Sequence, residues 1–116
     1  MKIICGTDFS QHAAEAARVA AALAIRLKDT VTLAHVFETT RYELLSKDLH
    51  DQLRRKGLER LKAEAQRLRK MGATVEHAML EGSPAPALTE FATEANARLV
   101  VVSSLGHIAP SRWLVP

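Results

Sequence analysis

The run Leu99-Val100-Val101-Val102 constrains this chain most, because four successive branched aliphatic residues leave no polar face to turn toward water. Such a run predicts a strand buried on both sides, which belongs to a parallel sheet with helices over each face. The preceding chain alternates strands and helices to match. Lys2 to Thr7 form a short apolar run ending in Asp8-Phe9-Ser10, and Ala13, Ala16, Ala17, Ala20, Ala21, Ala24 and Leu27 follow at helical spacing. That pattern predicts strand, turn and helix. Ser10 is placed to cap the helix, since its hydroxyl accepts from a free first-turn amide. The scarcity of bulky side chains on this helix implies close packing against the sheet. Thr30 to Phe37, rich in β-branched and apolar residues, predicts the second strand.

From Leu44 onward, Leu45, Leu49, Leu53, Leu61, Ala65 and Leu68 recur at helical spacing with charges between them, which predicts a long amphipathic helix. Gly57 falls inside it and marks either a close neighbour or a local break, because a mid-helix glycine costs about 1 kcal/mol relative to alanine. Met71-Gly72 predicts a glycine C-cap. Thr74 to Leu80 alternates as an edge strand does. Gly82-Ser83-Pro84 supplies a turn, an N-cap and a helix-starting proline; Leu88, Phe91, Ala92 and Ala95 form the stripe of a third helix, and Asn96 stops it. The expectation is one α/β domain over residues 1–116 with right-handed crossovers.

A chain of 116 residues can bury a core without disulfides or structural metal. Cys5 is the single cysteine, which excludes an intrachain disulfide and a multi-cysteine metal site and suits a reducing compartment. No apolar run approaches the ~20 residues needed to span a bilayer. The expected location is the cytoplasm, with no membrane partner. The net charge is only +3, yet Arg54, Arg55, Lys56, Arg60, Lys62, Arg67, Arg69 and Lys70 are half of the 16 cations. With no aromatic residue interleaved for base stacking, this stretch reads as a solvated helix face and not as a nucleic-acid surface.

Ligands of an open parallel sheet collect at the carboxyl ends of its strands, where strand order reverses. Two predicted strands end in polar loops: Gly6-Thr7-Asp8-Phe9-Ser10 and Ser103-Ser104-Leu105-Gly106-His107. If those strands are neighbours, the loops converge. Asp8 offers a carboxylate to sugar hydroxyls or serves as a turn former, and the second loop offers amides and hydroxyls to phosphate. The signatures of phosphate-binding loops, nucleophile elbows, paired-histidine zinc sites and dinucleotide fingerprints are all missing. His35 in a strand interior reads as a satisfied core residue, and Cys5 as a small hydrophobe.

Taken together, Ile3-Ile4-Cys5-Gly6-Thr7-Asp8-Phe9-Ser10, Leu33-Ala34-His35-Val36, Glu81-Gly82-Ser83-Pro84-Ala85 and Leu99 to His107 resemble, in this order, the universal stress protein family. The resemblance implies a Rossmann-like parallel sheet of order 3-2-1-4, with helices on both faces. It also implies that Thr7 and Asp8 lie near the ribose and base of an adenine nucleotide, Val36 near adenine, and Ser103, Ser104, Gly106 and His107 near the phosphates. The ATP-binding members carry G-x-x-G, nine residues, then G-[ST]. Here Ser103 replaces the first glycine, Gly106 keeps the second, and Pro116 stands at the third. Loss of glycine removes close backbone approach, and proline lacks a donor amide.

The chain stops where the family continues into a further helix and strand, so a C-terminally incomplete domain with an exposed fourth strand is expected. The functional expectation is a stress-response regulatory module that requires no cofactor, binds ATP or AMP weakly or not at all, and forms a homo-oligomer, most simply a dimer. The alternative is a nucleotide-free interaction module that works by oligomerising. No catalytic base or metal set supports a hydrolase.

Overall fold

The computed structural model describes residues 1–103. Strands β1 (Lys2–Gly6), β2 (Thr30–Phe37), β3 (Thr74–Glu81) and β4 (Leu99–Val101) alternate with helices α1 (Gln11–Leu27), α2 (Lys47–Arg69) and α3 (Pro84–Glu94), and a short 3-10 helix spans Thr39–Tyr42. All pairings are parallel and the order is β3-β2-β1-β4. Strand order therefore reverses between β1 and β4, as the resemblance implies.

Both faces of the sheet are covered. Ile3, Cys5, Val31, Leu33, Val75 and Val101 meet Ala17, Ala20, Ala21 and Ala24 of α1 and Leu61, Ala65 and Leu68 of α2. Ile4, Ala34 and Val36 meet Leu88 and Ala92 of α3 on the other face. The alanine row lets α1 lie close to the strands, so five of its alanines are buried without a large side chain among them. Gly6 serves the same purpose opposite: a Cβ there would come within 2.9 Å of Leu88 Cδ1 and 3.1 Å of Val102 Cγ1.

Four sequence expectations need correction. The run Leu99 to Val102 is not buried on both faces: Val101 is fully buried, Leu99 and Val100 only partly, and the strand stops at Val101. Among the described residues β4 pairs with β1 alone, so it sits at a sheet edge as the order 3-2-1-4 implies, with Leu99 and Val101 on one core cluster and Val100 and Val102 packed against the other. The long helix begins at Lys47, capped by Ser46 Oγ accepting from the Leu49 amide at 3.2 Å, so Leu44 and Leu45 precede it and are exposed. At its other end α2 closes at Lys70 with right-handed backbone; Gly72, at φ +100°, turns the chain two residues later. Ser83 occupies the cap position of α3, but its side chain makes no capping bond there.

Gly57 marks close approach and not a break, since α2 runs through it unbroken and its Cβ position lies 3.4 Å from Met79 Cε. Asn96, at φ +51°, ends α3 as expected. The basic stretch differs from a purely solvated face. Arg54 pairs with Glu81 at 2.8 Å, Arg67 pairs with Glu64 and donates to Ala14 O, and Arg69 donates twice to Val75 O on the edge strand β3. Much of this charge ties α2 to its neighbours.

Candidate functional site

The parallel register brings the carboxyl ends of β2, β1 and β4 to one rim. Gly6 pairs with Ala34 and Cys5 with Val101, so Thr7 and Asp8, Val36, and Val102 and Ser103 stand at similar heights on three adjacent strands. Four of the expected site residues, Thr7, Asp8, Val36 and Ser103, are thus gathered at the reversal of strand order. Ser104, Gly106 and His107, expected near phosphate, lie outside the described residues, as do Trp113 and Pro116.

The loop after β1 is organised by its own side chains. Thr7 Oγ1 accepts from the Phe9 amide at 3.0 Å, Asp8 Oδ1 from the Ser10 amide at 2.9 Å, and Ser10 Oγ from the Ala13 amide at 3.1 Å. The Thr7 amide itself donates to Ala34 O at 2.8 Å. Short polar side chains commonly satisfy backbone donors in this way. The chemical consequence is a polarity: four amides of this segment are engaged internally, while Asp8, whose Oδ1 takes the Ser10 amide, is an exposed residue at the rim. The loop suits a ligand that donates hydrogen bonds, such as a sugar hydroxyl, better than a phosphate.

Phe9, which sequence reasoning passed over, holds this arrangement. Its backbone is left-handed, φ +66°, a conformation that costs a bulky residue roughly 1–2 kcal/mol. The ring has two partners from other elements. The His35 imidazole of β2 lies 4.3 Å away between ring centroids, and the Arg60 guanidinium of α2 stands 4.6 Å from the Phe9 centroid. His35 Nδ1, when protonated, donates to Thr7 O at 2.7 Å, so one residue braces both ends of the turn. His35 is accordingly half-buried and bonded. An aromatic residue directly after the aspartate was the available signal, but its partners come from residues 35 and 60.

Val36 is 8% exposed, packed with Ile4, Ala34, Leu88 and Ala92 beneath α3, and shows little surface to a planar base. Cys5 is sealed in the core; burial, and secondarily the Glu64 charge, push its thiol up to about 12. It is an apolar filler and not a nucleophile.

The Universal stress protein family profile matches residues 1–116. The chain belongs to the universal stress protein family. Among solved structures, the universal stress protein UspA from Lactobacillus plantarum superposes with a TM-score of 0.80 at 18% identity, covering 97% of this chain and 82% of that one. A universal stress protein in complex with cAMP reaches 0.75 at 24% identity, over 94% and 80% of the two chains. The universal stress protein from Archaeoglobus fulgidus in complex with dAMP reaches 0.72 at 26% identity, over 88% and 79%. No curated protein sequence matches this chain significantly. No helix among the described residues is long and apolar enough to cross a membrane.

Proposed function

We propose that this universal stress protein is a cytoplasmic regulatory module of the stress response that binds adenine nucleotide weakly, through the ribose side of the ligand. The observation that carries this reading is the polarity of the β1–α1 loop, which presents the exposed Asp8 carboxylate while engaging the Thr7, Phe9, Ser10 and Ala13 amides internally. A ribose hydroxyl donates to such a carboxylate; a triphosphate gains nothing from it. Two relatives with cAMP and dAMP bound support the ligand class. The buried Val36 and the replacement of two motif glycines by Ser103 and Pro116 support low affinity. In this reading Asp8 and Thr7 stand near ribose and base, Val36 near adenine, and Ser103, Ser104, Gly106 and His107 toward the phosphates.

Calorimetric titration of the purified chain with ATP and AMP tests the reading. The expected dissociation constants are weaker than ~100 μM, or less than about 5.5 kcal/mol of binding, with AMP close to ATP because the phosphates contribute little. Sub-micromolar ATP binding, or a large preference for ATP over AMP, would refute it. A second reading, a nucleotide-free module acting through self-association, draws on β4, whose described neighbours leave it at the sheet edge. Sheet edges are templates for pairing with another chain.

A further inference from the structure

We propose that Phe9 is a positioning residue for the Asp8 carboxylate, held by His35 and Arg60 so that the ligand-facing loop is preset before any ligand arrives. Glycine would adopt φ +66° without penalty, yet it would leave the loop free to sample other conformations. A phenylalanine at this angle is strained, and strain persists only where surrounding contacts over-determine it. Two such contacts reach the ring. His35 contributes its imidazole at 4.3 Å and a hydrogen bond to Thr7 O, and Arg60 contributes a cation over the ring at 4.6 Å. The residue so held lies between Asp8 and Ser10, whose side-chain-to-amide bond spans it. Rotation of the Phe9 backbone would break that bond and swing the carboxylate away from the rim shared with Val36 and Ser103.

The coupling also runs outward. Because Arg60 belongs to α2 and His35 to β2, the loop after β1 is tied to two elements that follow it in sequence. The clamp concerns the loop itself; its effect on nucleotide rests on the function proposed above.

The experiment compares wild type with Phe9→Gly, Phe9→Leu, Phe9→Tyr and Arg60→Met, reading amide exchange in the free protein and chemical-shift changes on titration with ATP. In Phe9→Gly and Phe9→Leu the Ser10 amide should exchange at least ~10-fold faster, while core amides of β1 and β2 stay protected. Arg60→Met should move the same amide in the same direction. Phe9→Tyr, which keeps the ring, should match wild type. ATP binding should weaken ~5- to 10-fold in the glycine and leucine variants, because a ligand must then order the loop itself. Wild-type exchange at Ser10 in Phe9→Leu would overturn the proposal, since simple space filling would then suffice. Faster exchange with unchanged ATP affinity would overturn it too, by removing the loop from the site. If wild type shows no ATP shift at ~10 mM, the proposed function fails, and the exchange data still decide whether the ring holds the loop.

Discussion

Asp29, at the end of the molecule opposite the candidate site, has a side chain only 2% exposed. Its oxygens accept from Arg98 Nε at 2.6 Å and Nη2 at 3.4 Å, and the Met1 ammonium lies 3.2 Å away. The Arg98 hydrogen bond above all holds its carboxyl below the usual range, against the opposing effect of burial. A carboxylate with a depressed folded-state pKa stabilises the fold above its unfolded value of about 3.9, and that contribution is lost as pH falls through the folded-state value. Asp29→Asn should therefore lower Tm at pH 7, and its deficit against wild type should shrink as the pH is taken below ~3.9. A deficit constant across that window would assign the loss to packing instead. Cys5 makes the complementary prediction. With its thiol pushed up to about 12 and no exposed surface, it should resist a thiol reagent at pH 8 in the native protein and react fully in denaturant. Neither Asp29 nor Phe9 was singled out by sequence reasoning, because a residue's partner 69 or 51 positions away leaves no local pattern.

At the scale of elements, α2 separates what periodicity reveals from what it conceals. The leucine spacing correctly announces a helix, yet only Leu61, Ala65 and Leu68 are buried, all in its second half. The helix has 23 residues, about 34 Å at 1.5 Å per residue, whereas the eight-residue strands beneath it reach about 27 Å. Its first turns run past the sheet, and Leu49 is left 42% exposed. Gly57 lies at the inner face, where an added Cβ meets Met79 Cε at 3.4 Å and His35 Cδ2 at 3.9 Å, ordinary packing against a flexible thioether. The helix-propensity gain should win, so Gly57→Ala is expected to stabilise the protein by about 0.5–1 kcal/mol in urea unfolding. A net loss would show that Met79 cannot yield. The strand calculus is similar: the unbroken run at residues 99–102 reads as buried on both sides, but hydrophobicity reports only that a face can be buried, and position in the sheet decides whether it is.

At the scale of the molecule, the basic stretch of α2 is better described as a seam than as a binding surface. Arg54, Arg67 and Arg69 are engaged with Glu81, Glu64, Ala14 and Val75, and Arg60 with Phe9. No mobility shift is expected with duplex DNA at micromolar protein and ~100 mM salt, since four of the eight cations are engaged within the protein and no aromatic residue is interleaved for stacking. A shift abolished by alanine at Arg54, Arg55 and Lys56 would contradict this. Light scattering at micromolar concentration should give twice the 12.7 kDa chain mass if the β4 edge pairs between chains, and a monomer would count against the self-association reading. The sequence by itself determined the class of fold, the alternation of elements, the cap at Ser10 and the family, because each of these is written in spacing over a few residues or in motif order. Tertiary structure alone decided which strands are covered, which leucines are buried, which arginines are engaged, and that Phe9 meets His35 and Arg60. Those outcomes depend on contacts between residues far apart in the chain, whose meeting is fixed by how the elements pack.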